Sequence, residues 1–386
     1  MKIYLDNAAT TPLSREVFDV MAPYFMENFG NPSSSHSQGR EAKNAIEKSR
    51  KTIADLLHTE PGCILFTSGG TEADNTAIIT AIRGGGIRFA ITTPFEHHAV
   101  LNTLKFLEQN GEIKLAYLMH DENGNLSTRH LESLLAFNSR AFVSVMHGNN
   151  EVGNLNNIAE IAAICKQHNA VFHSDTVQTM GHYEYHLNEI DVDFIVGSAH
   201  KFNGPKGVGF LYHSAGTNVR SLIKGGGQEK GYRAGTENVA GIVGLAEALK
   251  ISLRDRQEDE QRIRSLKERM IARLRESIPG VSFNANSANP EKSIYTVLSV
   301  SLPPLDALSP ILNYLDSYGI CASGGSACSS HSSGGSHVLH ALSYDFARPV
   351  IRFSFGKFNT AQDVDVAVAR LSEIYEYAVK GLKIAG

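Results

Sequence analysis

The sequence lacks the features that mark membrane spans, nucleic-acid-binding domains and secretory leaders. None of its apolar runs reaches about 18 residues, the length of a membrane-spanning helix, so we expect no membrane span. The net charge of −4 provides no basic surface for nucleic acid. The first residues, MKIYLDNAATTP, contain no charged segment followed by an apolar one, so we expect no signal peptide and a cytoplasmic location.

Cysteine is scarce, and the four thiols do not form a metal or redox motif. No two of the four cysteines form a C-x-x-C pair, and their spacing matches no zinc site; they are Cys63, Cys165, Cys321 and Cys328. We therefore expect free thiols and no bound metal. Cys63 and Cys165 lie in periodic apolar stretches and are predicted to fill the core. Cys321 is also interpreted as structural. Cys328 lies among small residues in GGSACSSHSSGG, and is predicted to be exposed and reactive.

The length and the pattern of apolar segments predict two domains. The chain has 386 residues, 42% of them apolar, which suffices for a large core. In residues 12–255, short apolar stretches such as CILFT, AVFHSD and DFIVGS alternate with helical stretches. This alternation predicts an α/β domain with a mostly parallel sheet covered on both faces. Residues 256–386, with residues 1–11 packed beside them, are predicted to form a smaller α+β domain.

Three features of the predicted large domain together suit an aldehyde cofactor that carries a phosphate. In TSGGTEADN, a strand ends in two glycines and a helix begins at Thr71; glycine allows close approach, and helical N–H groups bind anions. Asp175 ends the strand AVFHSD, where a carboxylate can pair with a protonated ring nitrogen, and Gln178 can reach a ring oxygen. Lys201, in SAHKFNGPKG, can form a covalent bond with the aldehyde.

The order of these features, more than any one of them, predicts pyridoxal 5′-phosphate as the cofactor. Alone, each is also typical of a capped helix, a strand-end cap or a solvated loop lysine. Ser198 and His200 flank Lys201 and can donate hydrogen bonds to a phosphate. His97, in FEHHAV, is predicted near a strand-to-helix turn, where an imidazole can stack on the ring and carry protons. Asn150 ends another strand, within reach of ring or substrate.

Over nearly its whole length the chain resembles the cysteine desulfurases of the NifS/IscS type, in the class-V aminotransferase family. The motifs that carry the resemblance, in the family's order, are YLDNAATTP, GNPSS, SGGTEADN, EHHAV, NNEVG, HSDTVQ, SAHKFNGPKGVG, RAGTEN, GGSACSS and IRFSFGKFN. The resemblance implies fold type I of the pyridoxal-phosphate-dependent transferases, with a mostly parallel seven-stranded sheet in the large domain. The segment between Cys328 and Arg352 is long, as in the class I branch of the family. Cys328 itself falls within the predicted small domain.

The resemblance also implies a role for each matching residue. Lys201 would bind the cofactor covalently, His97 would act as an acid–base group, and Cys328 would take sulfur from L-cysteine as a persulfide while L-alanine leaves. The implied cofactor contacts are Gly70, Thr71, His97, Asn150, Asp175, Gln178, Ser198, His200, Lys201 and Thr236. The implied substrate contacts are Asn31, Asn150 and Arg352, whose guanidinium suits a carboxylate. Thr236 would reach the partner's site in a homodimer.

The sulfur acceptor and two other functions remain open from the sequence. The resemblance implies an acceptor protein such as an iron–sulfur scaffold, but the segment after Cys328 lacks the Leu-Glu-Pro that often follows it in class I. Another pyridoxal enzyme of the same fold, such as a selenocysteine lyase or an aminotransferase, is the first alternative, and the movable Cys328 argues against it. A non-catalytic scaffold-binding protein is the second, and the complete set of cofactor residues argues against it.

Overall fold

The computed structural model describes residues 2–138, 140–304, 310–324 and 335–381. Its strands are β1 (Ile3–Tyr4), β2 (Ile64–Thr67), β3 (Phe89–Thr92), β4 (Lys114–Tyr117), β5 (Phe142–Ser144), β6 (Val171–Asp175), β7 (Phe194–Ser198), β8 (Gly209–His213), β9 (Ser282–Phe283), β10 (Val297–Ser301), β11 (Ile320–Cys321) and β12 (Val350–Ser354). Its α-helices are α1 (Arg15–Met21), α2 (Pro23–Met26), α3 (Ser37–Leu56), α4 (Gly70–Ile79), α5 (His98–Gln109), α6 (Thr128–Phe137), α7 (Ile158–Gln167), α8 (Val239–Arg254), α9 (Arg256–Ser277), α10 (Ile311–Ser317), α11 (His337–Ala341) and α12 (Ala361–Val379).

The largest sheet has the strand order β2-β8-β7-β6-β5-β3-β4, and so confirms the predicted mostly parallel seven-stranded sheet. Strands β4, β3, β5, β6 and β7 pair in parallel. Strand β8 is antiparallel to both of its neighbours, β7 and β2. Because β8 runs alone in the opposite direction, β2 has the same direction as the five parallel strands. The carboxyl ends of these six strands therefore meet at one edge of the sheet.

Successive residues of the strands alternate between two hydrophobic cores on opposite faces of this sheet. On β7, Ile195 packs into the core that α1, α3, α6, α7 and α8 cover. Its neighbours Phe194 and Val196 pack into the core that α4 and α5 cover. This period of two is that of a strand buried on both faces, which is why these strands read as short, nearly continuous apolar runs. Cys63 and Cys165 lie in the first core, as predicted.

A third core joins the two ends of the chain. Ile3 and Leu5 pack there with side chains from α9, α10 and α12 and from β10 and β12. Strands β12, β10 and β9 form an antiparallel sheet, and β1 pairs with β11 in parallel. The domain boundaries after residues 11 and 255 stay a prediction. Within the described ranges, no helix has the length and apolar character needed to cross a membrane.

Candidate active site

A cavity of about 230 Å³ lies at the edge where the carboxyl ends of the strands meet. The predicted site residues that line it are Gly70, Thr71, His97, Asn150, Asp175, Gln178, Ser198, His200, Lys201 and Arg352. The other residues of its lining are Ala8, Ala9, Asp74, Met146 and Val177. The tertiary structure thus brings together ten predicted residues that are spread over more than 280 positions of the sequence. A cavity of this kind, with a few convergent polar groups, is typical of a cofactor site.

One end of the cavity has the geometry of a phosphate cradle. Gly70 is the first residue of α4, and a Cβ atom there would lie only 2.8 Å from Val177 Cγ2, so the backbone approaches this closely because the residue is glycine. Thr71 follows in the same helical turn, whose first N–H groups have no partner inside the helix. Ser198, at the end of β7, adds a buried hydroxyl. These groups fit a phosphate.

His200 lies beside this cradle as a neutral imidazole. Its Nδ1 atom is 3.1 Å from Thr10 Oγ1. Burial lowers the pKa of His200 to about 4, with smaller contributions from the positive charges of Lys201 and Lys206. At neutral pH the ring therefore acts as a neutral hydrogen-bonding group and adds no positive charge.

Lys201 is held in the cavity by the N-terminal segment of the chain. It ends a single 3-10 turn, Ala199–Lys201, that directly follows β7. Its Nζ atom donates to the carbonyl oxygens of Ala8 at 2.6 Å and Ala9 at 2.9 Å. The Ala8 carbonyl also accepts a hydrogen bond from Gln178 Nε2 at 3.0 Å. Two predicted cofactor ligands therefore share one backbone carbonyl.

Asp175 is placed as the carboxylate at the end of β6. Its Oδ1 atom accepts the Val177 N–H at 2.9 Å. Burial raises the pKa of Asp175, while His97, this backbone N–H and the charge of Lys201 act in the opposite direction. The hydrogen bond and the nearby cation favour the ionised form, as a partner for a protonated ring nitrogen requires.

His97 is the N-cap of α5, and this role assigns its tautomer. Its Nδ1 atom accepts the Ala99 N–H at 3.1 Å, so in the neutral ring the proton is on Nε2. Burial lowers the pKa of His97, against the negative charge of Asp175. The imidazole is thus neutral at pH 7, with one N–H available for donation.

Arg352 is a buried guanidinium, with an exposed fraction of 1%. Nη1 donates to the Asn150 carbonyl at 2.9 Å, and Nη2 donates to Asp6 Oδ1 at 2.8 Å. Within the described part of the chain, Nε has no hydrogen-bond partner. Arg352 also lines the cavity, where a guanidinium can meet a carboxylate.

Two predicted site residues do not line this cavity, and a third lies outside the described part of the chain. Asn31 is exposed, and its Oδ1 atom accepts the Ser33 N–H at 2.9 Å. Thr236 is exposed and lines a separate cavity of about 110 Å³. Cys328 lies outside the described residues. The roles implied for these three residues stay predictions.

Sequence reasoning missed Asp6 and Asp74 as members of the site. Asp6 lies in the quoted motif YLDNAATTP, but pairs with Arg352 only in three dimensions, across 346 positions. Asp74 carried a usable signal, because it is an acidic residue on the buried face of α4, between Ala73 and Ala77. An acidic residue at a core position of a helix indicates a functional or paired carboxyl group.

Comparisons with known proteins identify the family of the chain. The aminotransferase class-V family matches residues 3–366. A Bacillus subtilis (strain 168) protein named putative cysteine desulfurase IscS 1 is 42% identical over 378 residues, covering 97% of this chain and 98% of that protein. The cysteine desulfurase IscS of Methanosarcina thermophila is 39% identical over 384 residues, covering 97% and 92%.

Solved structures share the fold over the same extent. A structure titled NIFS-like protein superposes with a TM-score of 0.90 at 37% identity, and covers 98% of this chain and 100% of that one. The family match spans the residues that build both the sheet and the cavity. The chain therefore belongs to the aminotransferase class-V family.

Proposed function

We propose that this protein is a cysteine desulfurase that uses pyridoxal 5′-phosphate to convert L-cysteine into L-alanine and a protein-bound persulfide. The observation that carries the proposal is the grouping of the Lys201 amine, the Asp175 carboxyl group and the glycine-started helix at Gly70 in one cavity. The class-V family comprises pyridoxal-phosphate enzymes, and relatives that are 39% and 42% identical are named cysteine desulfurases.

The residues that line the cavity include candidates for the phosphate, ring and covalent contacts of the cofactor. The first turn of α4 with Ser198 would hold the phosphate, Asp175 would face the ring nitrogen, and Lys201 would form the covalent link. When bound, pyridoxal phosphate withdraws electrons from the α-carbon of the amino acid attached to it, which makes the α-proton acidic. The Lys201 amine and the Nε2–H of His97 are two proton carriers that the cavity offers to the reacting atoms.

Arg352 selects an amino acid by its carboxylate. The guanidinium is already oriented by Asp6 and by the Asn150 carbonyl, so substrate binding requires little reorganisation of this side chain. The carboxylate would meet the guanidinium where Arg352 lines the cavity. Orientation in advance lowers the entropic cost of binding.

Cys328 is proposed as the sulfur acceptor. Its thiolate would attack the sulfur of the substrate, and an S–S bond would form as the C–S bond breaks. The carbon then takes a proton and L-alanine leaves, while one sulfur atom stays on the protein as a persulfide. A thiolate is the reactive form, and the residues next to Cys328 in the sequence are small.

Reaction with L-cysteine tests the proposal. With a thiol reductant, the protein reconstituted with pyridoxal phosphate should release alanine and sulfide in equal amounts. Without reductant, mass spectrometry should find an increase of about 32 Da, one sulfur atom, on Cys328. Cys328→Ala should lose both products, whereas the matched control Cys321→Ala, in β11, should keep them. Sulfide release by Cys328→Ala at the wild-type rate contradicts the persulfide role.

We also propose that the protein works as a homodimer in which Thr236 completes the partner's site. Thr236 is exposed and lies outside the cavity of its own chain, and three large apolar side chains near α2, those of Phe25, Met26 and Phe29, are exposed as well. Such side chains are typical of a subunit contact. Light scattering should give twice the mass of one chain.

Complementation between variants tests the shared site directly. Lys201→Ala and Thr236→Ala should each be impaired as homodimers. A heterodimer of the two contains one site with both wild-type side chains, so mixing and reassembly should restore activity above that of either parent. If the mixture has only the average activity of the two parents, Thr236 does not act across the interface.

An acceptor protein such as an iron–sulfur scaffold, in the cytoplasm, is proposed to receive the sulfur. The relatives named IscS support this assignment. The test is to load the protein with radiolabelled sulfur from L-cysteine, remove the substrate, and add a purified scaffold. Transfer of label to the scaffold supports the assignment, and retention of label on the enzyme contradicts it.

A further inference from the structure

The buried carboxyl groups of Asp74 and Asp175 line the cavity, and that of Glu96 is buried near them. Only one of the three has the surroundings of an anion. Asp175 accepts the Val177 N–H and lies near Lys201. Glu96 accepts hydrogen bonds from the Thr93 hydroxyl and a backbone N–H, each at 2.9 Å, but burial still raises the pKa of Glu96 to about 8. Asp74 has an exposed fraction of 1%. Among the described residues, its Oδ1 atom accepts no hydrogen bond, and no positive charge lowers the pKa of the side chain.

The contacts of Asp74 form a short buried relay from the cavity into the core. Side-chain polar atoms of Asp74, His97 and Asp175 lie within 4.8 Å of one another. On its other side, Asp74 Oδ1 lies 3.3 Å from His173 Nε2, and neither atom has a hydrogen-bond partner among the described residues, so a proton between the two would satisfy both. His173 Nδ1 is in turn 2.9 Å from Ser144 Oγ.

The charges around this relay oppose ionisation of Asp74. Burial raises the pKa of Asp74 well above its usual range, and the negative charge of Asp175 raises it further. His173 offers no compensating charge, because burial lowers the pKa of His173 to about 3. His97, also neutral at pH 7, is the remaining titratable group in contact distance. When two carboxyl groups share a dry site, one of them keeps its proton.

We propose that Asp74 keeps its proton and donates it to His173 Nε2, which leaves Asp175 as the anion of the pair. His173 then donates from Nδ1 to Ser144 Oγ, so both nitrogens of the ring are paired. Asp74 is a positioning residue: it removes a competing negative charge next to Asp175, and so concentrates the charge where a protonated ring nitrogen is to be bound. Only this last step rests on the proposed function.

The opposite assignment is an ionised Asp74 paired with a protonated His173. Infrared spectroscopy of the cofactor-free protein at pH 7 separates the two, because a protonated carboxyl group has a C=O stretch that a carboxylate lacks. Glu96 contributes a similar band, so the informative comparison uses Asp74→Asn and Glu96→Gln. We expect a carboxylic-acid band that persists in Glu96→Gln and is lost in Asp74→Asn.

A second variant keeps the test usable if Asp74→Asn does not fold. His173→Phe removes the proposed acceptor of the Asp74 hydrogen bond, so the band should persist and shift to higher frequency. Loss of a carboxylate band in Asp74→Asn, with the acid band unchanged, overturns the proposal. If the carboxylic-acid band has the same frequency in His173→Phe as in the wild type, the hydrogen bond from Asp74 to His173 is ruled out.

The pH dependence of thermal unfolding provides a readout that a purely structural role would not change. A proton held by Asp74 only in the folded state stabilises the folded protein less as the pH rises above the usual pKa of aspartate. The melting temperature of cofactor-free Asp74→Asn, relative to wild type, should therefore increase between pH 4.5 and pH 8. A protonated Asp74 beside a neutral His173 and an ionised Asp74 beside a protonated His173 bind the same number of protons, so the infrared comparison separates these two forms. A melting-temperature difference that does not change with pH overturns the presence of a proton on the pair. Because these measurements use no cofactor, their results do not depend on the proposed activity. The assignment of the proton to Asp74 can therefore be wrong while the proposed activity is right, or right while the activity is wrong.

Discussion

The close contact between Gly70 and Val177 gives a quantitative prediction about the start of α4. In Gly70→Ala, the new Cβ atom would lie 2.8 Å from Val177 Cγ2, whereas the next nearest atoms, on Ser198 and Val196, are at ordinary distances of 3.7 and 3.8 Å. Overpacking of this kind costs about 1–3 kcal/mol. Alanine in a helix recovers about 0.5–1 kcal/mol relative to glycine. We therefore expect the free energy of unfolding to fall by up to about 2.5 kcal/mol.

A second substitution isolates the cause of this loss. Val177→Ala removes the Cγ2 atom that the new methyl group meets, so in that background Gly70→Ala should no longer be destabilising. It should instead stabilise the protein by about 0.5–1 kcal/mol, the helix propensity alone. The interaction energy of the double-mutant cycle is then about 1–3 kcal/mol.

Urea denaturation of the four cofactor-free proteins measures the cycle, and titration with pyridoxal phosphate gives the affinity of each. Gly70→Ala should bind the cofactor more weakly than wild type, because Gly70 and Val177 both line the cavity. Val177→Ala should recover part of that affinity. If the two substitutions are additive in the free energy of unfolding, the backbone at Gly70 does not approach Val177 as closely as described. The assignment of the start of α4 as a phosphate site then loses its geometric basis.

Three further predictions concern other parts of the chain. Arg352→Lys should raise KM for L-cysteine by roughly 10–100-fold with a smaller change in kcat, because lysine lacks the planar fork that binds a carboxylate; an unchanged KM refutes this role. Burial lowers the pKa of Lys267 to about 7, so the folded protein binds fewer protons there than the unfolded chain between pH 7 and pH 10. The stability of Lys267→Met relative to wild type should consequently decrease over that range, by up to about 1.4 kcal/mol per pH unit, as measured by urea denaturation; a pH-independent difference contradicts it. A thiol reagent should label Cys328 in the native protein before Cys63 and Cys165, both in the core, and burial raises the pKa of Cys165 to about 12; equal labelling rates contradict this order.

Local pattern was enough to predict the sheet and much of the site. The strands of the large sheet are short apolar runs because both of their faces are buried, so their positions could be read from residue type alone. Lys201, Asp175 and Gly70 follow the ends of such strands, and the ends of parallel strands meet at one edge. Their meeting in one cavity therefore followed from topology, before any side-chain contact was known.

Contacts between distant segments could not be predicted in this way. The hydrogen bonds from Lys201 to the Ala8 and Ala9 carbonyls involve backbone atoms, which leave no trace in residue type. The ion pair of Asp6 with Arg352 depends on how β1 and β12 are brought together in the third core. The protonation of Asp74 depends on which carboxyl groups are buried beside it.

The amino-acid sequence by itself determined the order of the strands and helices and the chemical groups at the strand ends. The hydrophobic period and the turn residues depend only on a few neighbouring positions, so they can be read directly from the sequence. Only the tertiary structure decided which buried groups share a dry environment and which donors meet which acceptors. Those electrostatic and hydrogen-bond energies depend on distances of a few ångströms between atoms that are hundreds of positions apart, as between Asp6 and Arg352.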